Sequence, residues 1–189
     1  DEATSSSVGA TGVTAITGSI TQVKALLVIE TNPGTSGQQI DLDTDFAVTI
    51  NDTGTVDAAD LNTINEATSG LVTATGVATI NGTASAITTL IGNEGTSGDK
   101  VALDTDFAMT VSSGQATVAE ANTMAAFSTS GAITATISDQ TIAALDDLST
   151  SNSDQLTITV ASTSATAAQL TTVAGATGLN VTATAVEAI

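Results

Sequence analysis

Apolar and polar residues alternate along six stretches of this chain: IDLDTDFAVTI (40–50), LVTATGV (71–77), VALDTDFAMTV (101–111), AITATI (132–137), LTITV (156–160) and LNVTATAV (179–186). A period of two is the mark of a strand with one buried face. The predicted core parity is Ile40, Leu42, Phe46, Val48 and Ile50; Val101, Leu103, Phe107, Met109 and Val111; Ile133, Ala135 and Ile137; and Leu156, Ile158 and Val160. Between these stretches the period changes. DAADLNTINEATSG, TASAITTLIGNEG, VAEANTMAAFSTSG, TIAALDDLSTS and TAAQLTTVAGATG carry apolar residues three apart, as in Leu61 and Ile64, Ile87 and Leu90, Leu145 and Leu148, and Leu170 and Val173. Most open near Asp, Thr or Ser, which cap helix N-termini, and several stop at Gly. They predict helices of about two turns, too short to stand alone, which must be held by packing on the strands.

The pattern is duplicated. GTSGQQIDLDTDFAVTI (34–50) matches GTSGDKVALDTDFAMTV (95–111) at an offset of 61, and SGLVTAT (69–75) matches SGAITAT (130–136) at the same offset. ATGV also recurs, at Ala10 and Ala74. Each duplicated unit divides again into two rungs. The predicted fold is therefore a repeat solenoid of parallel β-sheet rungs, each about 23–31 residues long, with short helices or turns between the strands. Extended connections would make it a pure parallel β-helix instead. The domain expectation is one array over 1–189, with a partial unit at 1–33, two-rung units near 34–94 and 95–154, and shorter rungs at 155–178 and 179–189.

Alternation also predicts what faces outward. The exposed row is Asp43 and Asp45, Thr73 and Thr75, Asp104 and Asp106, Thr134 and Thr136, Thr157 and Thr159, and Thr182 and Thr184. One rung per step places all six pairs on one ladder. The doubled Asp-x-Asp makes Asp43, Asp45, Asp104 and Asp106 the candidate metal ligands, with calcium the ion that an all-carboxylate set would take. Strands lie about 4.8 Å apart, so Asp rungs separated by a Thr rung would be roughly 10 Å apart and could not share an ion. No EF-hand-type loop or glycine-rich calcium repeat accompanies them. The plain alternative is a solvated acidic edge. Paired carboxylates also suit glycoside hydrolysis, but the aromatics that usually hold sugars are absent.

Composition narrows the chemistry further. The 189 residues hold 20 Asp plus Glu against Lys24 and Lys100, a net charge of −18, with no His, Cys, Trp or Tyr and only Phe46, Phe107 and Phe127 as aromatics. Histidine- and cysteine-based nucleophile pairs, thiolate redox centres and ordinary zinc or haem sites are excluded. No catalytic residue is predicted. Phosphate backbones and anionic membranes would be repelled, so nucleic acid is not an expected partner. No apolar run reaches membrane-spanning length, and direct membrane insertion is not expected. The small aliphatic side chains suit a thin core between stacked layers better than a globule.

TVDAADLNTINEATSGLVTATGVATINGTASAITTL, TVAEANTMAAFSTSGAITATISDQTIAALDDL and LTITVASTSATAAQLTTVAGATG together resemble the Thr/Ala-rich repeats of giant cell-surface or secreted proteins of marine cyanobacteria and related bacteria. That resemblance implies an acidic, extracellular, non-enzymatic scaffold, in some members tied to surface layers, adhesion or swimming motility. It transfers no functional residue. The closing LNVTATAVEAI reads as a fresh strand without a polar cap, so the expected partner is self, through end-to-end stacking into a filament or through neighbouring repeats. Two other readings stand beside a structural or adhesive scaffold. The Thr-x-Thr rungs resemble the ice-binding faces of some antifreeze proteins, which makes an ice- or glycan-binding face the second; a viral fibre segment is the third.

Overall fold

The computed structural model describes residues 8–31 and 40–189. Within them the chain forms β1 (Val8–Ala10), β2 (Ala15–Gly18), α1 (Ile20–Thr31), β3 (Ile40–Leu42), β4 (Ala47–Ile50), β5 (Thr55–Asp57), α2 (Ala58–Glu66), β6 (Val72–Thr73), β7 (Thr79–Gly82) and α3 (Ala84–Gly92). It continues through β8 (Val101–Ala102), β9 (Ala108–Val111), α4 (Val118–Phe127), β10 (Ile133–Thr136), α5 (Ile142–Leu145), β11 (Gln155–Thr157) and α6 (Ala167–Gly175). The result is an α/β fold with three all-parallel sheets and short helices, and none of the sheets closes into a barrel.

Contacts divide the chain into two compact units. The first holds the described residues up to Val77 together with Gly92–Asp104; the second holds Ala78–Ile91 and Thr105–Ile189. These boundaries cut across the sequence duplication. In the first unit β1 pairs with β3, and a separate sheet runs β2-β4-β6-β8. Its register aligns Ile16, Val48, Val72 and Val101 in one column and Thr17, Thr49, Thr73 and Ala102 in the next. In the second unit the neighbours run β11-β10-β9-β7. There Ile80, Met109 and Ile133 form one column, and Ala135 is level with Leu156. Parallel neighbours need a crossover between them, and the helices or loops between successive strands of each sheet supply it.

The apolar columns make the core. Val48, Val72, Val101, Ile80, Met109, Ile133 and Leu156 are buried, as are Leu61 and Ile64 of α2, Ile87 and Leu90 of α3, Met124 of α4 and Leu145 of α5. Each such side chain contributes about 1.5–3 kcal/mol of burial. Helix starts follow the sequence closely. Asp57 caps α2, Thr141 caps α5, and Thr117 with Glu120 and Thr166 with Gln169 complete capping boxes on α4 and α6. Ser19 and Gln22 exchange the same reciprocal bonds at the start of α1.

Several expectations need correction. IDLDTDFAVTI and VALDTDFAMTV are not single strands: each breaks at its Asp-Thr-Asp, giving β3 and β4 in one case and β8 and β9 in the other. In the first copy the Asp43 carboxylate accepts the Thr44 N–H at 2.9 Å, a local side-chain bond that takes this amide out of the ladder. LNVTATAV is not a strand either: it pairs through one isolated parallel bridge, Thr159 to Thr182, with a second, Ser164 to Ala188, just beyond it. The α1 helix is absent from the expected elements, because ITQVKALLVIET is apolar nearly all round and shows no clean stripe. The helices α2 and α4 are capped at their C-termini by Ala67 and Ser128, short of Gly70 and Gly131, whereas α3 and α6 do run to a glycine, Gly92 and Gly175.

Candidate functional site

The described part of the proposed ladder divides between two kinds of place. Asp43, Asp45, Asp104 and Asp106 are exposed and sit at chain corners, and Thr75 and Thr184 occupy tight turns as well. Thr73 is in β6, where it is level with Thr49. Thr134 is level with Thr110 on one side and Gln155 on the other, Thr136 with Thr157, and Thr159 with Thr182. The neighbour of Thr134 on β11 is therefore Gln155, not the expected Thr157, and the step between these strands is two shorter than the spacing of the Thr pairs implies. Asp43 and Asp45 do not neighbour Thr73 in a ladder. Thr17, Thr49 and Thr73 do, in register on adjacent strands.

The corners explain the doubled LDTDFA. Val13 bonds back to Ala10, Asp154 to Ser151 and Val186 to Ala183, each N–H closing a four-residue turn on a carbonyl three positions earlier, at 3.0, 3.0 and 3.2 Å. Ala-Thr-Gly-Val at 10–13 and 74–77, Leu-Asp-Thr-Asp-Phe at 42–46 and 103–107, and Ala-Thr-Ala-Val at 183–186 place turns at equivalent points between strands. Leu42, Phe46, Leu103 and Phe107 are buried while the aspartates between them are exposed. The corner also presents a carbonyl. The Ser69 N–H donates to the Thr44 oxygen at 2.7 Å, and the Thr129 N–H donates to the Thr105 oxygen at 2.8 Å.

That docking belongs to a repeated polar latch, built from residues whose pattern reads in the sequence as helix stops. The Thr68 hydroxyl donates to the Phe46 carbonyl at 2.5 Å and accepts the Gly70 N–H at 3.0 Å. Ser128 accepts the Gly131 N–H at 3.0 Å and lies 3.4 Å from the Phe107 carbonyl. Thr177 repeats the arrangement on Leu156, and at the intervening position buried Asp154 accepts the Ile133 and Ser151 N–H groups, both at 2.9 Å. Glycine follows because the chains nearly touch: a Cβ on Gly70 would lie 2.4 Å from the Phe46 oxygen, and one on Gly131 1.9 Å from the Phe107 oxygen. The available signal is the T-S-G, at 68–70 and 129–131, that follows each LDTDF at the same distance.

The latches at Thr68 and at Ser128 each border a polar cleft. In the first unit a cleft of about 450 Å³ is lined by Thr44, Asn65, Glu66, Thr68, Asn93 and Asp99, among others. In the second a smaller one, about 150 Å³, is lined by Ala125, Ser128, Gly131, Ser149, Thr150 and Asp154, among others. The two are equivalent by position: Asn65 stands to its helix N-cap Asp57 as Ala125 stands to Thr117. Their chemistry differs. Asp154 is satisfied by backbone N–H groups, whereas the buried Oδ1 of Asn65 accepts no hydrogen bond.

Positive charge is scarce. Lys24 of α1 pairs with Asp60 of α2, both partly exposed. Glu30 has its carboxyl pushed above the usual range, by burial first and then by the negative charge of Asp41. Among the described residues no three His, Cys, Asp or Glu side chains gather where they could hold a metal ion. Asp43 with Asp45, and Asp104 with Asp106, bring at most two carboxylates to a corner, short of the roughly six to eight oxygens calcium takes. No helix among the described residues is long and apolar enough to cross a membrane. No family model, curated protein or solved structure matches the chain.

Proposed function

We propose that this chain is a non-enzymatic scaffold segment of an extracellular or cell-surface protein, a solenoid whose rungs stack on one another and on further copies of themselves. The observation that carries this reading is the latch: Thr68, Ser128 and Thr177 each bring a hydroxyl to a backbone carbonyl of the preceding segment, at Phe46, Phe107 and Leu156. Polar side chains that would serve a site in an enzyme are spent here on joining successive segments. Parallel pairing in every sheet, small aliphatic core columns and a net charge of −18 support an extended surface role over a catalytic one. Electron microscopy of the native material tests it. Filaments or surface layers are expected, and a discrete intracellular particle would overturn it.

A second reading is favoured by one specific arrangement. Thr17, Thr49 and Thr73 stand level on three adjacent parallel strands, a methyl-and-hydroxyl row with about 4.8 Å between members. Such a row suits ice or the faces of a glycan. Ala102 ends it on the next strand. Thermal hysteresis at millimolar protein would establish this reading over the scaffold, and its absence would remove ice from consideration.

A further inference from the structure

Three rungs of this chain carry one motif. VGATGVTAI (8–16), VTATGVATI (72–80) and VTATAVEAI (181–189) share Val-x-Ala-Thr-(Gly/Ala)-Val, with Ile in the last place. Each turns the same corner, where an N–H donates to a carbonyl three residues earlier: Val13 to Ala10 at 3.0 Å, Val77 to Ala74 at 3.5 Å and Val186 to Ala183 at 3.2 Å. The middle copy shows the motif covered on both sides. Val72 is level with Val48 of the earlier rung and Val101 of the later one, and Val72, Ala74, Val77 and Ile80 are all buried. The other two copies are covered on one side. Among the described residues β1 pairs only with β3, and β2 is the edge of the sheet β2-β4-β6-β8, so the 8–16 rung has its neighbour on its later side. Val8 is 41% exposed there, and Val13 and Ile16 are half-buried. The 181–189 rung has its neighbour on its earlier side, where Thr182 donates its N–H to Ile158 and accepts the Val160 N–H. Val181, Ala183 and Val186 are half-buried, and Ile189 is 84% exposed.

We infer that the open side of the 181–189 rung takes the open side of the 8–16 rung of a second copy of this chain, head to tail. The direction fits. One rung lacks an earlier neighbour and the other a later one, so a second copy continues the parallel pairing that every sheet of the chain already makes. Two like faces would meet about a two-fold axis, with their strands antiparallel. The middle copy supplies the register: Val72 and Ala74 donate their N–H groups to the carbonyls of Lys100 and Ala102 in the later rung, both at 2.9 Å. With Val181 level with Val8, the Ala183 N–H meets the Gly9 carbonyl, and Val186 and Ile189 cover Val13 and Ile16. Charge favours the same contact. In a chain of net charge −18, residues 8–18 carry no charged side chain and 179–189 only Glu187, so repulsion between two acidic copies is weak here. Charges and prolines are what ordinarily keep an edge strand from pairing, and 8–18 has neither. The inference rests on the scaffold reading and names the faces through which copies join.

Sedimentation velocity of the full chain over a concentration series tests the contact. Concentration-dependent oligomers are expected, and raising the ionic strength from about 0.01 M to about 0.15 M should strengthen them by screening the net charge. A head-to-tail contact needs one face of each kind. Val8→Glu and Ile189→Glu, both at exposed positions, and Val181→Glu should therefore each weaken self-association about tenfold or more, with the fold of each verified by far-UV circular dichroism. Val8→Glu mixed with either of the other two should recover a dimer that grows no further, because each partner then supplies the face that the other lacks. Val28→Glu, at an exposed apolar position on α1, should associate as the parent does. A chain that stays monomeric throughout, parental association in Val8→Glu, a mixture that stays monomeric, or loss confined to Val28→Glu would each overturn the contact. Filaments in the native material beside a monomeric chain would overturn this contact and leave the scaffold reading. Discrete intracellular particles beside the mixed dimer would do the reverse.

Discussion

The Thr177 hydroxyl binds both backbone groups of Leu156, accepting its N–H at 3.0 Å and donating to its carbonyl at 2.8 Å. One side chain thereby closes the hydrogen bonds of a buried strand residue in the preceding segment, and it accepts the Leu179 N–H at 3.1 Å as well. Thr177→Val keeps the shape and removes every one of these bonds. It should cost about 1–3 kcal/mol in chemical denaturation, while Thr177→Ser retains most of the stability.

Two glycines of the second unit should respond in opposite directions to alanine. At Gly131 a Cβ would collide with the Phe107 carbonyl, a backbone atom that cannot swing aside, so Gly131→Ala should lose about 1–3 kcal/mol or more. Gly175 closes α6 with open space where its Cβ would be and no positive φ. Gly175→Ala should gain about 0.4–1 kcal/mol through the unfolded state. Parallel urea melts of the two variants decide the matter.

Corner residues should be interchangeable. Asp45 occupies a turn position that Gly12 and Gly76 fill elsewhere, and its side chain is exposed. Asp45→Gly should change stability by no more than about 0.5–1 kcal/mol, with the strands on either side intact by far-UV circular dichroism.

Stability should rise as pH falls from neutral toward the ordinary carboxylate range. The Glu30 carboxyl is raised in the folded state, by burial and by Asp41, so the folded chain binds a proton more tightly than the unfolded one. Its charge is therefore a liability above the folded pKa, and the liability disappears on descending through it. Protonation of the wider excess of carboxylates acts in the same direction by reducing self-repulsion. Glu30→Gln should stabilise the chain at pH 7 and reduce the slope of Tm against pH.

Much of the secondary structure is legible in the sequence because small side chains leave the pattern clean. Val48, Met109, Ile133 and Leu156 fall on the buried parity, and Asp57, Thr117, Thr141 and Thr166 announce their helices. Register is not legible. Alternation is indifferent to a shift of two positions, so it pairs Thr134 with Thr157 as readily as with its true neighbour, Gln155. The corners are hidden for a related reason: Leu42 and Phe46 keep the same parity whether the chain between them runs straight or turns. Asn65 gives no signal because its neighbour in the cleft, Asp99, is distant in sequence, in a loop whose path alternation does not encode.

Most of the side-chain ties between successive segments share a direction. Thr68, Ser128, Asp154 and Thr177 reach the backbone of a preceding segment, and Asp52, Asp139 and Ser162 likewise accept the first amides of the earlier helices α1, α4 and α5. In each case the later residue supplies the side chain and the earlier one the main chain. Asn122 and Thr150 run the other way, onto Asp147, Ser149 and Ala176, but during synthesis most newly made segments complete the one made before. The emerging chain would mature mostly from its amino end, each segment waiting on the next for side-chain partners of its backbone.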